Sequence, residues 1–171
     1  RGVLDLPLST LRAGLPLLRN PLQRRKAIAL TPHQFHFAFT NTLTESESLA
    51  IYERYQVPGS RNVLLEGASA NVNPRTALRV NYRNASRAPL LFIAGGRDHI
   101  VPASTNRANA ARYGRSGAYT ELMEFPDRSH FTLGQPGWEE VADYALDWAV
   151  EHAVRSGPGG GCARRKRPRD A

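Results

Sequence analysis

The spacing of apolar and polar positions changes character twice along this chain. Residues 1–30 carry leucines interrupted by Pro7, Pro16 and Pro21, the pattern of a connector with short helical pieces. From residue 31 the spacing becomes helical. Thr31 is placed to cap a helix over 32–40, with Pro32 at the first helical position. Thr44-Glu45-Ser46-Glu47 fits a capping box, and Leu49, Ile51, Tyr52 and Tyr55 follow at roughly helical spacing. Pro58-Gly59 supplies the stop signal. Val63, Leu64 and Ala68 predict a third helical piece over about 60–70. Short helices separated by polar turns predict a small helical layer across residues 8–75.

After Asn84 the pattern is different. Ala88 to Ala94 is a continuous apolar run bounded by turn signals, as in a strand covered on both faces. Gly95-Gly96-Arg97-Asp98 ends it. A helix is predicted from about Ser104 to Tyr113, a second strand from Tyr119 to Phe125, and a loop from Pro126 to Gly137. The last helix, about 138–153, places Trp138, Val141, Ala145, Trp148 and Ala149 on one face. Glu139 and Glu140 in its first turn complement the helix dipole. The order strand, helix, strand, helix is a βαβα unit of a doubly wound α/β fold, with no internal repeat. Two parallel strands alone would leave a sheet edge open, so the pattern predicts further strands upstream of Arg1.

Composition adjusts this picture only in places. With 171 residues, 41% apolar and 22% charged, the chain can build a core and is not of disordered composition. No apolar run approaches the ~18–20 residues of a membrane span, and no secretory h-region is present, which together predict a cytoplasmic protein without membrane partners. The net charge of +8 and pI of about 10.4 point at first to an anionic partner. The charge is uneven, however. Residues 155–171 hold six cations against Asp170, while residues 1–154 hold 17 basic against 14 acidic side chains. Ser156-Gly-Pro-Gly-Gly-Gly-Cys-Ala-Arg-Arg-Lys-Arg predicts a disordered, Gly-rich basic tail over 156–171. It lacks interleaved aromatic residues for base stacking, so nucleic acid is not expected as a partner beyond a weak tail contact. Cys162 is the single cysteine. It excludes an internal disulfide and a Cys-rich zinc site, and no histidine accompanies it for thiol chemistry.

Two ionisable residues follow directly on the two predicted strands: Asp98 in Gly95-Gly96-Arg97-Asp98-His99-Ile100-Val101-Pro102, and His130 in Phe125-Pro126-Asp127-Arg128-Ser129-His130-Phe131. Adjacent parallel strands bring such loops to one sheet edge, where open α/β sheets bind ligands. A carboxylate accepting from an imidazole fixes its tautomer and stabilises the imidazolium, the acid–base half of a nucleophilic triad. His99 adjoins Asp98 but points elsewhere in a tight turn. Asp127 is a rival acid, and Ser129 reads as a loop hydrogen-bonder. His33 and His36 lie three apart on the first helix, but no third metal ligand is near them; they read as packing among Phe35, Phe37 and Phe39. No Gly-x-Gly-x-x-Gly or Walker pattern implies a nucleotide, so neither cofactor nor metal is expected.

On these residues, 88–154 resemble the C-terminal part of an α/β-hydrolase: Ala88 to Pro102 its penultimate strand and acid turn, the loop of His130 and the helix from Trp138 its histidine loop and closing helix. Residues 8–75 are similar to the helical cap of such enzymes. The resemblance implies a connector and helical cap over 1–84, a core segment over 85–155 and the tail beyond. It also implies a cofactor-free, serine-type carboxylic ester hydrolase in which Asp98 and His130 are catalytic, and Phe35, Phe37, Phe39 and Tyr52 line the substrate pocket. The implied chain order is nucleophile, acid, histidine. Gly-x-Ser-x-Gly occurs nowhere in the 171 residues; Gly67-Ala68-Ser69-Ala70-Asn71 departs from it at the last position. The expectation is a nucleophile upstream of Arg1, an isolated chain without esterase activity, and an ester-like small molecule as substrate of the full-length enzyme. Perhydrolase of the non-haem haloperoxidase type, dehalogenase and epoxide hydrolase chemistry share the framework. An inactive fragment or a binding module is the non-enzymatic alternative.

Overall fold

The computed structural model describes residues 12, 27–60, 62, 75–77 and 79–153. Ser69, Cys162 and the tail over 156–171 lie outside the described residues, as do most of the connector and most of the third helix predicted over 60–70. In chain order the elements are β1 (Ala27–Ile28), α1 (Pro32–Phe39), α2 (Glu45–Tyr55), β2 (Gly59–Ser60), β3 (Leu90–Gly95), α3 (Ala103–Tyr113), β4 (Thr120–Phe125) and α4 (Trp138–Ala153).

Both helices of the first half start at reciprocal capping boxes. Thr31 accepts the N–H of Gln34 while Gln34 returns its side chain to the Thr31 N–H; Thr44 and Glu47 repeat the arrangement. The Thr44 N–H and hydroxyl both donate to the Glu47 carboxylate and hold it below its usual carboxylate range. The two helices pack through Phe35, stacked on Phe39 at 5.0 Å and edge-on to Tyr52 at 5.5 Å, and through a buried Thr40–Ser48 hydroxyl pair at 2.6 Å. The Tyr52 hydroxyl donates to the Leu30 carbonyl. β1 and β2 pair antiparallel at the foot of the helices. This corrects the expected third helix at its start: Gly59–Ser60 is a strand, and α2 ends at Tyr55 with Gln56 as C-cap.

The second half is the predicted βαβα unit. β3 and β4 are parallel, in register from Leu90 opposite Thr120 to Gly95 opposite Phe125. Strand alternation sends Phe92 and Glu124 to the α3 side, where Phe92 meets Tyr113 and Glu124 pairs with Arg107. It sends Glu121 and Phe125 to α4, where Phe125 meets Tyr144 edge-on at 6.0 Å. Ala94, Ala103, Phe125 and Val141 form the buried centre. Arg87 brackets the strand entry, its guanidinium donating to the carbonyls of Ala118 and Tyr119 and to the Thr120 hydroxyl. Leu90 to Ile93 are half-buried rather than buried, because β3 pairs on one edge only among the described residues. The stripe of α4 that faces the sheet keeps Val141, Ala145 and Trp148 of the expected set and adds Tyr144 and the buried His152, while Trp138, 46% exposed, and Ala149 lie outside it. Glu121 on β4 accepts the polar hydrogens of Tyr144 and Trp148.

Candidate active site

Asp98 and His130 meet at the carboxyl ends of β3 and β4. His130 Nδ1 donates to Asp98 Oδ2 at 2.8 Å. The other carboxylate oxygen, Oδ1, accepts the N–H groups of Ile100 and Val101, both at 2.8 Å. The aspartate thus accepts from three donors and cannot rotate without losing them. Its side chain is 8% exposed against 31% for His130, so the acid is enclosed while the imidazole reaches solvent. With Nδ1 donating to a carboxylate, Nε2 is left as the acceptor nitrogen, the tautomer a general base requires.

Close backbone contact between the two loops builds this geometry. The N–H of Arg97 donates to the Arg128 carbonyl at 2.9 Å, and the N–H of Gly96 to the Phe125 carbonyl at 2.8 Å. A Cβ on Gly95 would lie 2.5 Å from the Arg128 oxygen, and one on Gly96 2.4 Å from the Pro126 oxygen. Glycine is therefore required at both positions by proximity. The buried Arg128 side chain donates to the carbonyls of Pro136 and Gly137 and closes the far end of the loop.

α1 lies across both loops. Its last carbonyls have no intrahelical partner, and two of them are taken by these loops: Phe37 accepts from His99 Nδ1 at 2.7 Å and Phe39 from the N–H of Phe131 at 3.0 Å. The Asn41 side chain donates to the Arg97 carbonyl at 3.1 Å. The Phe39 ring sits edge-on to His130 with centroids 5.1 Å apart, and Phe37 lies against His99 at 4.5 Å.

The rival residues fall elsewhere. His99 is turned onto α1. Asp127 pairs with Arg97 and is 85% exposed, so it is not the acid partner of His130. Ser129 is fully buried inside the loop. His33 and His36 line a separate hollow of about 260 Å³ between α1 and α2 with Glu45 and Ser48, and no group of three metal-capable side chains occurs among the described residues.

A cleft of about 540 Å³ opens beside the dyad, lined by Asp98 and His130 and by apolar groups of Ile93, Val101, Phe131 and Leu133. The aromatic set expected to line it does not. Phe35 and Tyr52 are spent on the helix pair, Phe37 on His99, and only Phe39 reaches a dyad member. Alternating aromatic residues on a short helix carry no signal that separates stacking from pocket lining. Gln135 and Arg128, which shape the histidine loop, were missed by sequence reasoning for a related reason: isolated polar residues in a loop have no periodicity that marks them as buried.

No family model matches the chain. Two Mycobacterium tuberculosis proteins, of strains CDC 1551 and H37Rv, provisionally named phosphoribosyl transferases, are each 38% identical to it over 74 residues, which is 43% of this chain and 16% of theirs. The chain thus spans less than a fifth of the curated relatives it matches. Among solved structures, a Paleococcus ferrophilus monoacylglycerol lipase superposes on 89% of the chain with a TM-score of 0.50 at 17% identity, over 55% of the lipase. At that identity the likeness concerns the fold: this chain has an α/β arrangement similar to part of a lipase. No helix among the described residues is long and apolar enough to cross a membrane.

Proposed function

We propose that this chain supplies the acid and the base of a serine-type ester hydrolase, with α1 and α2 as part of a cap over them. The carrying observation is the 2.8 Å contact between His130 Nδ1 and Asp98 Oδ2, with the carboxylate fixed by two backbone donors. His130 Nε2 takes the proton of an attacking hydroxyl and returns it to the leaving oxygen; Asp98 holds the ring and offsets the imidazolium charge. The attacking group comes from a segment beyond the 171 residues, since they contain no Gly-x-Ser-x-Gly. The fold likeness to a lipase supports the reading.

The substrate is a neutral ester whose acyl side packs on Ile93, Val101, Phe131 and Leu133. Among the described residues, no Arg or Lys lines the cleft. Phosphate-bearing substrates, including those of a phosphoribosyl transferase, would need such cations or converging backbone donors, whereas the described lining is mainly apolar. Cytoplasmic residence and catalysis without a cofactor belong to the same proposal. The test is hydrolysis of short p-nitrophenyl esters by the full-length product, with His130→Ala as the control that must abolish it.

A further inference from the structure

The loop that carries His130 closes on one buried amide. Gln135 is 8% exposed, and its Oε1 accepts the N–H of Ser129 and the hydroxyl of Ser129, both at 3.0 Å. The same oxygen is 3.4 Å from the hydroxyl of Thr42, just past the end of α1. Ser129, wholly buried, passes the connection on. Its Oγ accepts the N–H of Phe131 at 3.2 Å, and its carbonyl accepts the Thr132 hydroxyl at 2.6 Å. The Phe131 carbonyl in turn accepts the N–H groups of Gly134 and Gln135 at 3.0 and 3.1 Å. The residues on either side of His130 are thus tied, directly or through one hydroxyl, to Gln135 Oε1.

A dyad needs this kind of support. The imidazole turns about two torsions, and its bond to Asp98 weakens steeply once distance or angle is lost. The aspartate is locked by the N–H groups of Ile100 and Val101, so any slack must lie on the histidine side. A carbonyl-type oxygen has two lone-pair directions and can serve two close donors at once. An apolar side chain in its place would leave a buried N–H and a buried hydroxyl unpaired.

Resting on the dyad reading above, we propose that Gln135 is the positioning residue of His130, setting the backbone on both sides of it so that Nδ1 meets Asp98, and that Thr42 links this setting to the seat of α1. The Gln135 oxygen then adds a side-chain tie between the histidine loop and the helical pair beside the backbone bond from Phe131 to Phe39, without any contact between Gln135 and substrate.

The test is proton NMR on the 171-residue chain, following the low-field Nδ1 proton of His130, identified by its loss in Asp98→Ala. Gln135→Leu should raise the exchange rate of that proton with water at least tenfold or remove the signal, in a protein whose circular dichroism is unchanged. Gln135→Glu keeps the acceptor oxygen and should hold the rate within about twofold of the parent. A folded Gln135→Leu variant with an unaltered rate would overturn the proposal, and loss of the signal in both variants would overturn the acceptor role. Should Gln135→Leu fail to fold, Ser129→Ala, which deletes one of the two short bonds, should speed exchange severalfold; an unchanged rate there overturns the proposal equally. A parent chain with no Asp98-dependent proton would instead defeat the dyad reading, and this inference with it.

Discussion

Phe131 donates its main-chain N–H to the carbonyl of Phe39 across 3.0 Å, one residue away from His130. The end of α1 and the histidine loop therefore form one hydrogen-bonded unit, and the Phe39 ring leans edge-on against the imidazole from the same helix end. A helix that merely lay over these loops would make no such bond.

Phe39→Ala should loosen this unit. The ring is half-buried, so the expected loss is about 1–3 kcal/mol, below the 3–5 typical of a fully buried phenylalanine. The amide of Phe131 should exchange faster with deuterium in the variant, because the helix end that covers it is no longer seated. Equal exchange in both proteins would show that the ring does not hold α1 on the loop.

Gly95→Ala should be more disruptive than a surface glycine replacement. The new methyl would enter within 2.5 Å of the Arg128 oxygen and 2.8 Å of the Ser129 oxygen, both backbone atoms of the histidine loop. The loops must part, at a cost of about 1–3 kcal/mol by analogy with overpacked cores. Urea denaturation reads the loss. Gly59→Ala, which meets nothing within 4 Å, is the matched control and should shift the midpoint little.

Glu121 predicts how stability follows pH. Burial opposes its ionisation, but donors from Tyr119, Tyr144 and Trp148, with His152 nearby, outweigh that effect and hold its carboxyl below the usual range. A carboxyl depressed on folding binds fewer protons in the folded state than in the unfolded state. Its stabilisation is therefore complete above the ordinary carboxylate range and is lost as pH falls through the depressed folded value. Glu121→Gln should cost about 1–2 kcal/mol at neutral pH and flatten the acid limb of a plot of denaturation midpoint against pH. An acid limb as steep as the parent's would place the titrating group elsewhere.

Much of the framework was legible in the residues. The apolar run ending at Gly95, the two threonine caps and α4 with its acidic first turn are local signals, and the structure has an element at each. The order of Asp98 and His130 on successive strands was enough to expect their meeting, since parallel pairing puts both loops at one edge. The misses involve partners distant in sequence. β1 and β2 are two residues each, too short for any period, so Gly59 reads as a stop signal and Ser60 as the start of a helix where the structure has a strand. Tyr144 joins the sheet-facing side of α4 because its hydroxyl, like the Trp148 N–H, bonds Glu121, which no hydrophobic pattern encodes. Phe35 and Tyr52 pack edge-on between α1 and α2, a contact visible only once the second helix is placed beside the first.

If His130, oriented by Asp98, is the base of an ester-cleaving site as proposed, steady-state hydrolysis of a short p-nitrophenyl ester by the full-length protein must depend on it. His130→Ala should lower kcat by about 10³-fold or more with KM changed little, since the imidazole acts in the transition state and not in binding. A variant that turns over at the parental rate would contradict that role.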